Sequence, residues 1–206
     1  MRIIVFGATG GTGQALIQAA ITAGHTVTAF TRRPGSIAEQ PALRVSVGNV
    51  LDRPAVAAAV GGHDAVLSAL GGRPWRKESI CGPAIRNISA AMGTHQVRRI
   101  VAISTLGAAD TRADVGWAAR NILFRFILRR EVADKEDMEE HLATTDLDWT
   151  VVRVGMLMKA AKGRFRVADD HSIQGMGKIA RADVAGFMIA QLQSGAWVRR
   201  RPVIVY

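Results

Sequence analysis

The fold is decided by one glycine-rich stretch, Gly7-Ala8-Thr9-Gly10-Gly11-Thr12-Gly13. It follows the apolar run Ile3–Phe6 and precedes the helical pattern Gln14–Ala20. A strand, a G-x-x-G-x-x-G turn and a helix in this order favour a site for a dinucleotide over an ordinary tight turn. The rest of the chain is interpreted outward from this turn.

Each glycine of the stretch has a separate expected role. Gly7 allows the sharp turn off the strand, Gly10 allows the backbone to approach a diphosphate, and Gly13 allows close packing of the helix on the sheet. The helix N-terminus offers free N–H groups and a partial positive charge to the phosphates. The hydroxyl groups of Thr9 and Thr12 add donors. The predicted phosphate contacts are Gly7, Thr9, Gly10, Gly11, Thr12 and Gly13.

Length and composition predict one globular domain over residues 1–206, with 49% apolar and 21% charged residues. No apolar run reaches the roughly 18–20 residues of a membrane-spanning helix. The strand pattern begins at Arg2 and leaves no room for a signal peptide. The single cysteine, Cys81, excludes an internal disulfide and favours the reducing cytoplasm. We therefore expect a cytoplasmic protein without a membrane span.

The net charge of +10 has three possible partners: nucleic acid, an anionic membrane or a small anionic ligand. The basic residues are scattered, with clusters at Arg120–Arg130, Lys159–Arg166 and Arg199–Arg201. No aromatic residues are interleaved with them in the manner of nucleic-acid-binding motifs. We interpret the clusters as solvated faces that steer anions, and nucleic-acid binding is the minor alternative.

Strand-like and helical stretches alternate along the chain, which is the pattern of a parallel sheet covered by helices on both faces. The fold class is therefore α/β, a doubly wound parallel sheet in a three-layer α/β/α arrangement, with ligand expected at the carboxyl ends of the strands. The predicted strands are Arg2–Phe6, Thr26–Thr31, Leu43–Val47, Ala65–Ala69, Arg99–Ser104, Trp149–Val154 and Pro202–Val205. The predicted helices are Thr12–Ala23, Arg53–Val60, Pro83–Met92, Val115–Arg129, Lys135–Thr144 and Arg181–Gln193.

The end of the second predicted strand distinguishes between the two nicotinamide dinucleotides. An NAD-binding fingerprint carries an acid about 20 residues after the glycines, where it holds the ribose 2′-hydroxyl. This chain has Arg32 and Arg33 there instead. Guanidinium groups bind phosphate, whereas an acid would repel it. The sequence favours NADP(H), although two solvated arginines in an arginine-rich chain remain an alternative.

Three further strand ends are candidates for contact with the same ligand. After the third strand, Asn49 and Val50 can face the adenine. After the fourth, Leu70 and Gly71 can pass beside the cofactor, since glycine permits close backbone approach. The fifth strand ends in two adjacent hydroxyl residues near the expected nicotinamide ring. The hydroxyl pair is Ser104 and Thr105.

These residues resemble the atypical short-chain dehydrogenases/reductases. The similarity covers nearly the whole chain and is strongest to the NAD(P)H-binding group that contains biliverdin reductase B and NmrA-like proteins. The glycine stretch is specific for the superfamily, and the later segments are less specific for one activity. The matching segments are Gly7–Gly13, Gly24–Thr28, Arg32, Gly48–Val50, Ile103–Thr105, Asp148–Arg153 and Ala182–Ala185.

The resemblance implies a Rossmann-type fold with NADP(H) on the glycine stretch and Arg32 at the 2′-phosphate. Asn49 stands where the family usually has aspartate, so the adenine contact is altered. Ser104 and Thr105 match a hydroxyl pair beside the nicotinamide. Lys135 matches the lysine of the Tyr-x-x-x-Lys motif. The candidate catalytic residues are therefore Ser104, Thr105 and Lys135.

The departures from the family pattern bear on the chemistry. The position four residues before Lys135 is Glu131, and the only tyrosine is Tyr206. Tyrosine-based acid catalysis is therefore not expected. Glu131 could transfer a proton only if burial raised its pKa, which a nearby lysine opposes. We expect Glu131 and Lys135 to form a surface ion pair.

Two segments are candidates for shaping a substrate pocket. Leu106–Arg130 carries an apolar helical stripe, which is more typical of core than of a cofactor site. Gly155–Gly177 is a candidate lid, and its Met156 stands where some relatives have histidine. No histidine pair has metal-ligand spacing, so no metal site is expected. The stripe consists of Trp117, Ile122, Leu123, Phe126 and Ile127.

The sequence favours an NADPH-dependent oxidoreductase that reduces a conjugated, planar or anionic small molecule of the flavin, tetrapyrrole or quinone type. Such acceptors need little acid assistance, which suits the missing tyrosine. The alternative is a non-catalytic NADP(H)-binding sensor of the NmrA-like kind. An epimerase or dehydratase that acts on a nucleotide sugar is disfavoured by the missing tyrosine and the short C-terminal part. A monomer and a homodimer are both compatible with the sequence.

Overall fold

A computed structural model describes residues 1–71, 79–115, 129–161, 163–169, 171–173 and 175–206. Eight strands form one sheet in the order β3-β2-β1-β4-β5-β6-β10-β8, and β7 pairs with β9 in a separate parallel pair. All pairs in the large sheet are parallel except β10 with β8. The strands are β1 Arg2–Phe6, β2 Thr26–Thr31, β3 Leu43–Val47, β4 Ala65–Ser68, β5 Arg99–Thr105, β6 Asp148–Val154, β7 Met156–Met158, β8 Arg166–Ala168, β9 Lys178–Ala180 and β10 Val203–Val205.

Five helices cover the two faces of the sheet within the described residues. A short 3-10 helix, Ala109–Ala113, follows β5. The strand order β3-β2-β1-β4-β5-β6 is that of the doubly wound dinucleotide-binding fold, in which ligands bind at the carboxyl edge near the reversal beside β1. The helices are α1 Gly11–Thr22, α2 Arg53–Val60, α3 Cys81–Thr94, α4 Arg129–Ala143 and α5 Arg181–Ala190.

The core lies in two layers, one on each side of the sheet. Because successive side chains on a strand point to opposite faces, Ile3 and Val5 of β1 pack in the layer under α1 and α5. Ile4 and Phe6 pack in the other layer, under α2, α3 and α4. All four are fully buried. The predicted three-layer α/β/α architecture is confirmed.

The predicted elements agree closely with the structure over the first half of the chain. Strands β1 to β3 and helix α2 have the predicted bounds, and the other predicted strands end within one residue of the observed ones. Within the described residues helix α4 covers Arg129–Ala143, so it already includes the residues before its predicted start at Lys135, where no glycine or proline interrupts it. Of the helix predicted over Val115–Arg129, residues 116–128 and the apolar stripe they carry lie outside the described residues.

The segment Gly155–Gly177, the candidate lid, has secondary structure that was not predicted. It contains the short strands β7 and β8, and β8 runs antiparallel to β10 at the edge of the large sheet. Three-residue strands were not predicted because they are too short to show a period of two. No helix within the described residues is long and apolar enough to cross a membrane.

Candidate functional site

A cavity of about 540 Å³ opens at the carboxyl edge of the sheet, above β1, β2, β3 and β4. It brings together the predicted contacts Gly7, Thr9 and Gly10 with residues from three other strand ends. The only charged side chains among its described lining residues are Arg32 and Arg33. The full lining is Phe6, Gly7, Thr9, Gly10, Phe30, Thr31, Arg32, Arg33, Val50, Leu51, Ala69, Leu70, Gly71, Ser79 and Ile80.

The three glycines of the G-x-x-G-x-x-G motif serve two different purposes in the structure. Gly7 has φ +76°, and a Cβ atom there would lie 2.5 Å from the Ala69 carbonyl oxygen. A Cβ atom on Gly13 would overlap the Gly7 carbonyl oxygen. A Cβ atom on Gly10 meets only that same oxygen, at 3.4 Å, and Gly10 lines the cavity. Gly7 and Gly13 therefore shape the turn, while the bare Cα of Gly10 leaves room for a ligand.

The N-terminus of α1 is open at the same edge. The first intrahelical hydrogen bond runs from the Gln14 N–H to the Gly10 carbonyl oxygen, at 2.9 Å. The N–H groups of Gly11, Thr12 and Gly13 precede it and have no partner inside the helix. The first turn of α1 contains no acidic residue, and no side chain caps it. The positive end of the helix dipole is therefore available to an anion.

Arg32 and Arg33 lie in a turn that is held by side chains next to them. The Arg33 N–H donates to the Thr31 hydroxyl oxygen at 3.2 Å, and the Ser36 hydroxyl donates to the Arg33 carbonyl oxygen at 2.7 Å. Gly35, with φ +71°, completes the turn. Both arginine side chains are exposed at the rim of the cavity. The turn thus positions two guanidinium groups without using them in its own hydrogen bonds.

The end of β3 supplies an apolar part of the cavity. Val50 is buried and Leu51 is 42% exposed, and both line it. Asn49, the predicted adenine contact, does not line the cavity; its side-chain oxygen accepts from the Leu51 N–H at 3.2 Å. Asn49 therefore shapes the turn that presents Val50 and Leu51. Next to them, the Phe30 ring packs on Phe6 with their ring centres 4.9 Å apart.

Lys135 lies inside the protein, 5% exposed, and not on the surface as predicted. Its ammonium group donates to the carbonyl oxygens of Leu70 at 2.6 Å and Ile103 at 2.7 Å. It thereby ties the segment after β4, which lines the cavity, to β5. The described ion pairs do not include one between Lys135 and Glu131. The expectation of a surface ion pair is wrong because this face of α4 packs against the sheet and α3.

Glu131 is half-buried. Burial raises the pKa of its carboxyl above the ordinary value; the charge of Lys135 opposes this shift and that of Asp134 adds to it. A raised pKa is the condition under which a glutamate could donate a proton near neutral pH. The pKa of Glu131 is shifted in the direction that proton donation requires. Its side chain, however, does not line the cavity.

The residue next to Lys135 closes the N-terminus of α3. The carboxylate of Asp134 accepts the N–H groups of Ile80, Cys81 and Gly82, at 2.9, 2.8 and 2.9 Å. Burial raises the pKa of the neighbouring Cys81 thiol to about 11, so the thiol stays protonated and inert. Helix α3 therefore has its own internal anion, unlike α1.

Ser104 and Thr105 end β5 but do not line the cavity. The Ser104 side chain is 2% exposed, and its hydroxyl has no hydrogen-bond partner within the described residues. The half-buried Thr105 hydroxyl donates to the Leu106 carbonyl oxygen at 3.2 Å. The structure thus places the pair one strand beyond the cavity, next to β4. A buried hydroxyl without a partner is costly.

A buried ion network lies at the end of β6. Arg153, 2% exposed, contacts the carboxylate of Glu139 on α4 and that of Asp110 after β5, both at 2.6 Å. Arg201 also contacts Glu139, at 3.3 Å. The interpretation of Arg199–Arg201 as a solvated cluster is therefore wrong for Arg201, because the chain folds back along β6. His171 Nδ1 contacts the Asp114 carboxylate at 2.7 Å.

The sequence prediction missed several residues at this site. Ser79, Ile80 and Leu51 line the cavity, and Arg181 lies across from Gly11. Ser79 and Ile80 directly precede a helix at the carboxyl edge, a position that could have identified them. For Arg181 there was no local signal, since it is 170 residues from Gly11 in sequence (181 − 11). No group of three or more His, Cys, Asp or Glu side chains in the described ranges is arranged to hold a metal ion.

The family model for NAD(P)H-binding proteins matches residues 7–195. The chain belongs to this NAD(P)H-binding family. The match begins at Gly7 and extends past α5, so it includes every strand end that lines the cavity. The family assignment and the open glycine turn therefore indicate the same ligand class.

Several solved structures share the fold over the whole chain. The oxidoreductase YlbE from Lactococcus lactis is 18% identical, with a TM-score of 0.85 over 100% of this chain and 90% of that one. The anaerobillin reductase ChuY from Escherichia coli O157:H7 is 23% identical, with a TM-score of 0.84 over 100% and 97%. A short-chain dehydrogenase/reductase from Veillonella parvula, in complex with NADP, is 18% identical, with a TM-score of 0.81 over 100% and 94%. These similarities establish the fold.

Proposed function

We propose that the protein is an NADPH-dependent oxidoreductase that reduces a conjugated small molecule of the flavin, tetrapyrrole or quinone type. The observation that carries the cofactor assignment is the cavity, whose described lining contains two arginines and no acid. An acid at the end of β2 would bind the ribose 2′-hydroxyl of NADH, whereas Arg32 and Arg33 suit the 2′-phosphate of NADPH. The NADP complex of a protein with the same fold supports this choice.

The residues that line the cavity fit the adenosine and diphosphate parts of the dinucleotide. Thr9, Gly10 and the first N–H groups of α1 would hold the diphosphate, and Arg32 and Arg33 the 2′-phosphate. Val50 and Leu51 would contact the adenine. The adjacent carboxyl ends of β4 and β5 would receive the nicotinamide half. The bound cofactor supplies the hydride, and the protein supplies binding and orientation.

Lys135 acts in this proposal as a positioning residue. Its two hydrogen bonds hold the Leu70–Gly71 segment, which lines the cavity, at a fixed distance from β5. Ser104, whose hydroxyl is buried without a partner in the described residues, is the candidate polar group beside the nicotinamide. Thr105 is a weaker candidate, since its hydroxyl already donates to a carbonyl oxygen.

The missing tyrosine favours an acceptor whose reduced form is stabilised by delocalisation. The Tyr206 hydroxyl bonds to the Asp183 carboxylate at 2.5 Å and accepts from the Ala180 N–H at 3.1 Å, at the start of α5. Tyr206 therefore stabilises the start of α5. It does not occupy the tyrosine position of the Tyr-x-x-x-Lys motif, which is four residues before Lys135. A conjugated acceptor can take its proton from water after hydride transfer. The reductase activity of ChuY supports this class of reaction.

The direct test mixes the purified protein with NADPH and, in turn, FMN, a soluble quinone and biliverdin, and follows the absorbance of the reduced nicotinamide. We expect oxidation of NADPH with at least one acceptor. The matched control is Gly10→Val, whose φ of −76° suits any residue and whose side chain would enter the cavity. That variant should fold and lose both binding and turnover, which excludes a contaminating reductase.

The second candidate is a non-catalytic sensor that binds NADP(H). It is favoured by the position of Lys135, whose ammonium group is bound to two backbone carbonyls and is not paired with a tyrosine. Binding of NADPH to the wild-type protein with no oxidation by any acceptor of the panel would support the sensor and contradict the reductase.

A further inference from the structure

Arg181 on α5 lies against the first turn of α1. A Cβ atom built on Gly11 would lie 3.0 Å from both Cδ and Nε of the Arg181 side chain and 3.7 Å from Cζ. Gly11 is the first residue of α1 and carries one of the N–H groups that have no partner inside the helix. A guanidinium group therefore stands beside the open N-terminus of the glycine turn.

This juxtaposition is electrostatically unfavourable unless an anion lies between the two groups. The N-terminus of a helix carries a partial positive charge, and a cation beside it raises the free energy of the folded state. Among the described residues, the Arg181 guanidinium forms no ion pair with a carboxylate. Its hydrogen bond is to a neutral acceptor, the Met158 carbonyl oxygen, at 3.3 Å. The side chain is half-buried and is held in place by this bond.

Three other helices have a carboxylate at the N-terminus. Asp52 caps α2, Asp134 accepts three N–H groups at the start of α3, and Asp183 lies in the first turn of α5. Helix α1 has none of these and has Arg181 instead. A bound anion at this turn would neutralise both groups.

The position of Arg181 indicates which phosphate it would contact. Arg32, Arg33 and Val50, which would hold the adenosine half, lie at the ends of β2 and β3, on one side of β1. Arg181 follows β9, whose Lys178 carbonyl oxygen accepts the N–H of Tyr206 directly after β10, at 3.0 Å. Strand β10 lies beside β6, on the other side of β1 in the sheet. It therefore approaches α1 from the side opposite to the adenosine contacts.

We infer that the Arg181 guanidinium binds the phosphate on the nicotinamide side of the dinucleotide, as a second anion contact besides the glycine turn. This inference rests on the proposed function. It assigns a cofactor-binding role to a residue that lies outside the glycine motif, on a helix near the other end of the chain. Because NADH and NADPH share this phosphate, Arg181 contributes equally to both.

The test compares Arg181→Met, which keeps the length of the side chain and removes its charge, with Arg32→Gln. Dissociation constants are measured by calorimetry for NADPH, NADH, nicotinamide mononucleotide and adenosine 2′-monophosphate. We expect Arg181→Met to weaken the binding of NADPH and of NADH by a similar factor, roughly 10- to 100-fold for one hydrogen bond between charged groups. It should weaken nicotinamide mononucleotide as well and leave adenosine 2′-monophosphate unchanged. Arg32→Gln should show the opposite fragment pattern.

Two controls separate binding from general effects of charge and stability. Arg44→Met removes an exposed positive charge on β3, away from the cavity lining, and should leave all four constants unchanged. The melting temperature of unliganded Arg181→Met should be equal to or higher than that of the wild type, because the repulsion between the guanidinium group and the N-terminus of α1 is removed. Arg181→Lys should recover part of the lost affinity.

The outcomes distinguish this inference from the proposed function. If the wild type binds no dinucleotide, the proposed function fails and the inference fails with it. If the wild type binds NADPH and Arg181→Met binds it equally well, only the inference is overturned. An equal loss for adenosine 2′-monophosphate, or a change in the KM of the acceptor alone, would also overturn it.

Discussion

Arg32 and Arg33 are the charged side chains among the described residues that line the cavity. The turn that carries them is closed by Thr31 and Ser36, so both guanidinium groups are free of that turn's hydrogen bonds. At the scale of the single residue, the proposed preference for NADPH over NADH therefore depends on the positive charge at the rim of the cavity.

Replacing Arg32 with Gln should weaken NADPH binding by roughly 10- to 100-fold, the effect of one hydrogen bond between charged groups. NADH lacks the 2′-phosphate, so its affinity should change little. Titration of both dinucleotides by fluorescence measures the difference, with Arg44→Gln as the exposed control. Equal losses for the two dinucleotides would contradict the assignment of NADPH.

Lys135 shows how the same side chain can have a structural or a chemical role. Replacing it with Met removes two buried hydrogen bonds and should lower the free energy of unfolding by about 2–4 kcal/mol. Chemical denaturation without cofactor measures this loss, and the exposed Lys178→Met on β9 should be neutral. Unchanged stability combined with a large fall in kcat would instead favour a catalytic lysine.

At the scale of the element, the β1–turn–α1 unit is limited by backbone contacts. A side chain on Gly13 meets the backbone of Gly7, and neither partner can move without changing the turn. Gly186, in contrast, lies on the exposed side of α5, and a Cβ atom there meets nothing within 4 Å. The two glycines therefore form a matched pair.

Gly13→Ala should destabilise the protein by about 1–3 kcal/mol through overpacking and should also weaken NADPH binding. Gly186→Ala should be neutral or stabilise by up to about 1 kcal/mol, because alanine has the higher helix propensity. Thermal unfolding compares the two variants. A neutral Gly13→Ala would mean that the turn tolerates a side chain and that the tight contact is not required.

At the scale of the whole molecule, the segment after β8 contacts the region after β5 through charged groups. His171 contacts Asp114 at 2.7 Å and Asp110 at 3.6 Å. The hydrogen bond to Asp114, then its charge and that of Asp110, raise the pKa of His171 above 6.5, while Arg153 opposes the shift. Protonation of His171 therefore strengthens the contact between these two segments.

Because the folded-state pKa is raised, the stabilisation by His171 should be fully present below about pH 6.5 and lost as the pH rises through the folded-state pKa. Comparing the wild type with His171→Gln by denaturation at acid and alkaline pH measures this window. An NMR titration of the imidazole should give a pKa above 6.5. A difference between the two proteins that is constant with pH would contradict the prediction.

The sequence carried much of the fold because its signals are local. The apolar runs of β1 to β6 and the glycine turn depend on residues within a few positions of one another, and each predicted strand is present. The contacts of Asn49 and Lys135 were not predictable in the same way. Asn49 lies at the expected strand end but is used by its own turn, and Lys135 bonds to carbonyls 65 and 32 residues away.

The sequence by itself determined the doubly wound architecture, the class of ligand and the positive charge at the end of β2. Hydrophobic periodicity, glycine spacing and residue type are local features that can be identified without the tertiary structure. Only the tertiary structure decided which groups are free to act. It buried Lys135 against two carbonyls, filled the N-terminus of α3 with Asp134 and placed Arg181 beside Gly11. The physical reason is that hydrogen bonds and electrostatic interactions depend on distance in space, which a parallel sheet sets between residues far apart in sequence.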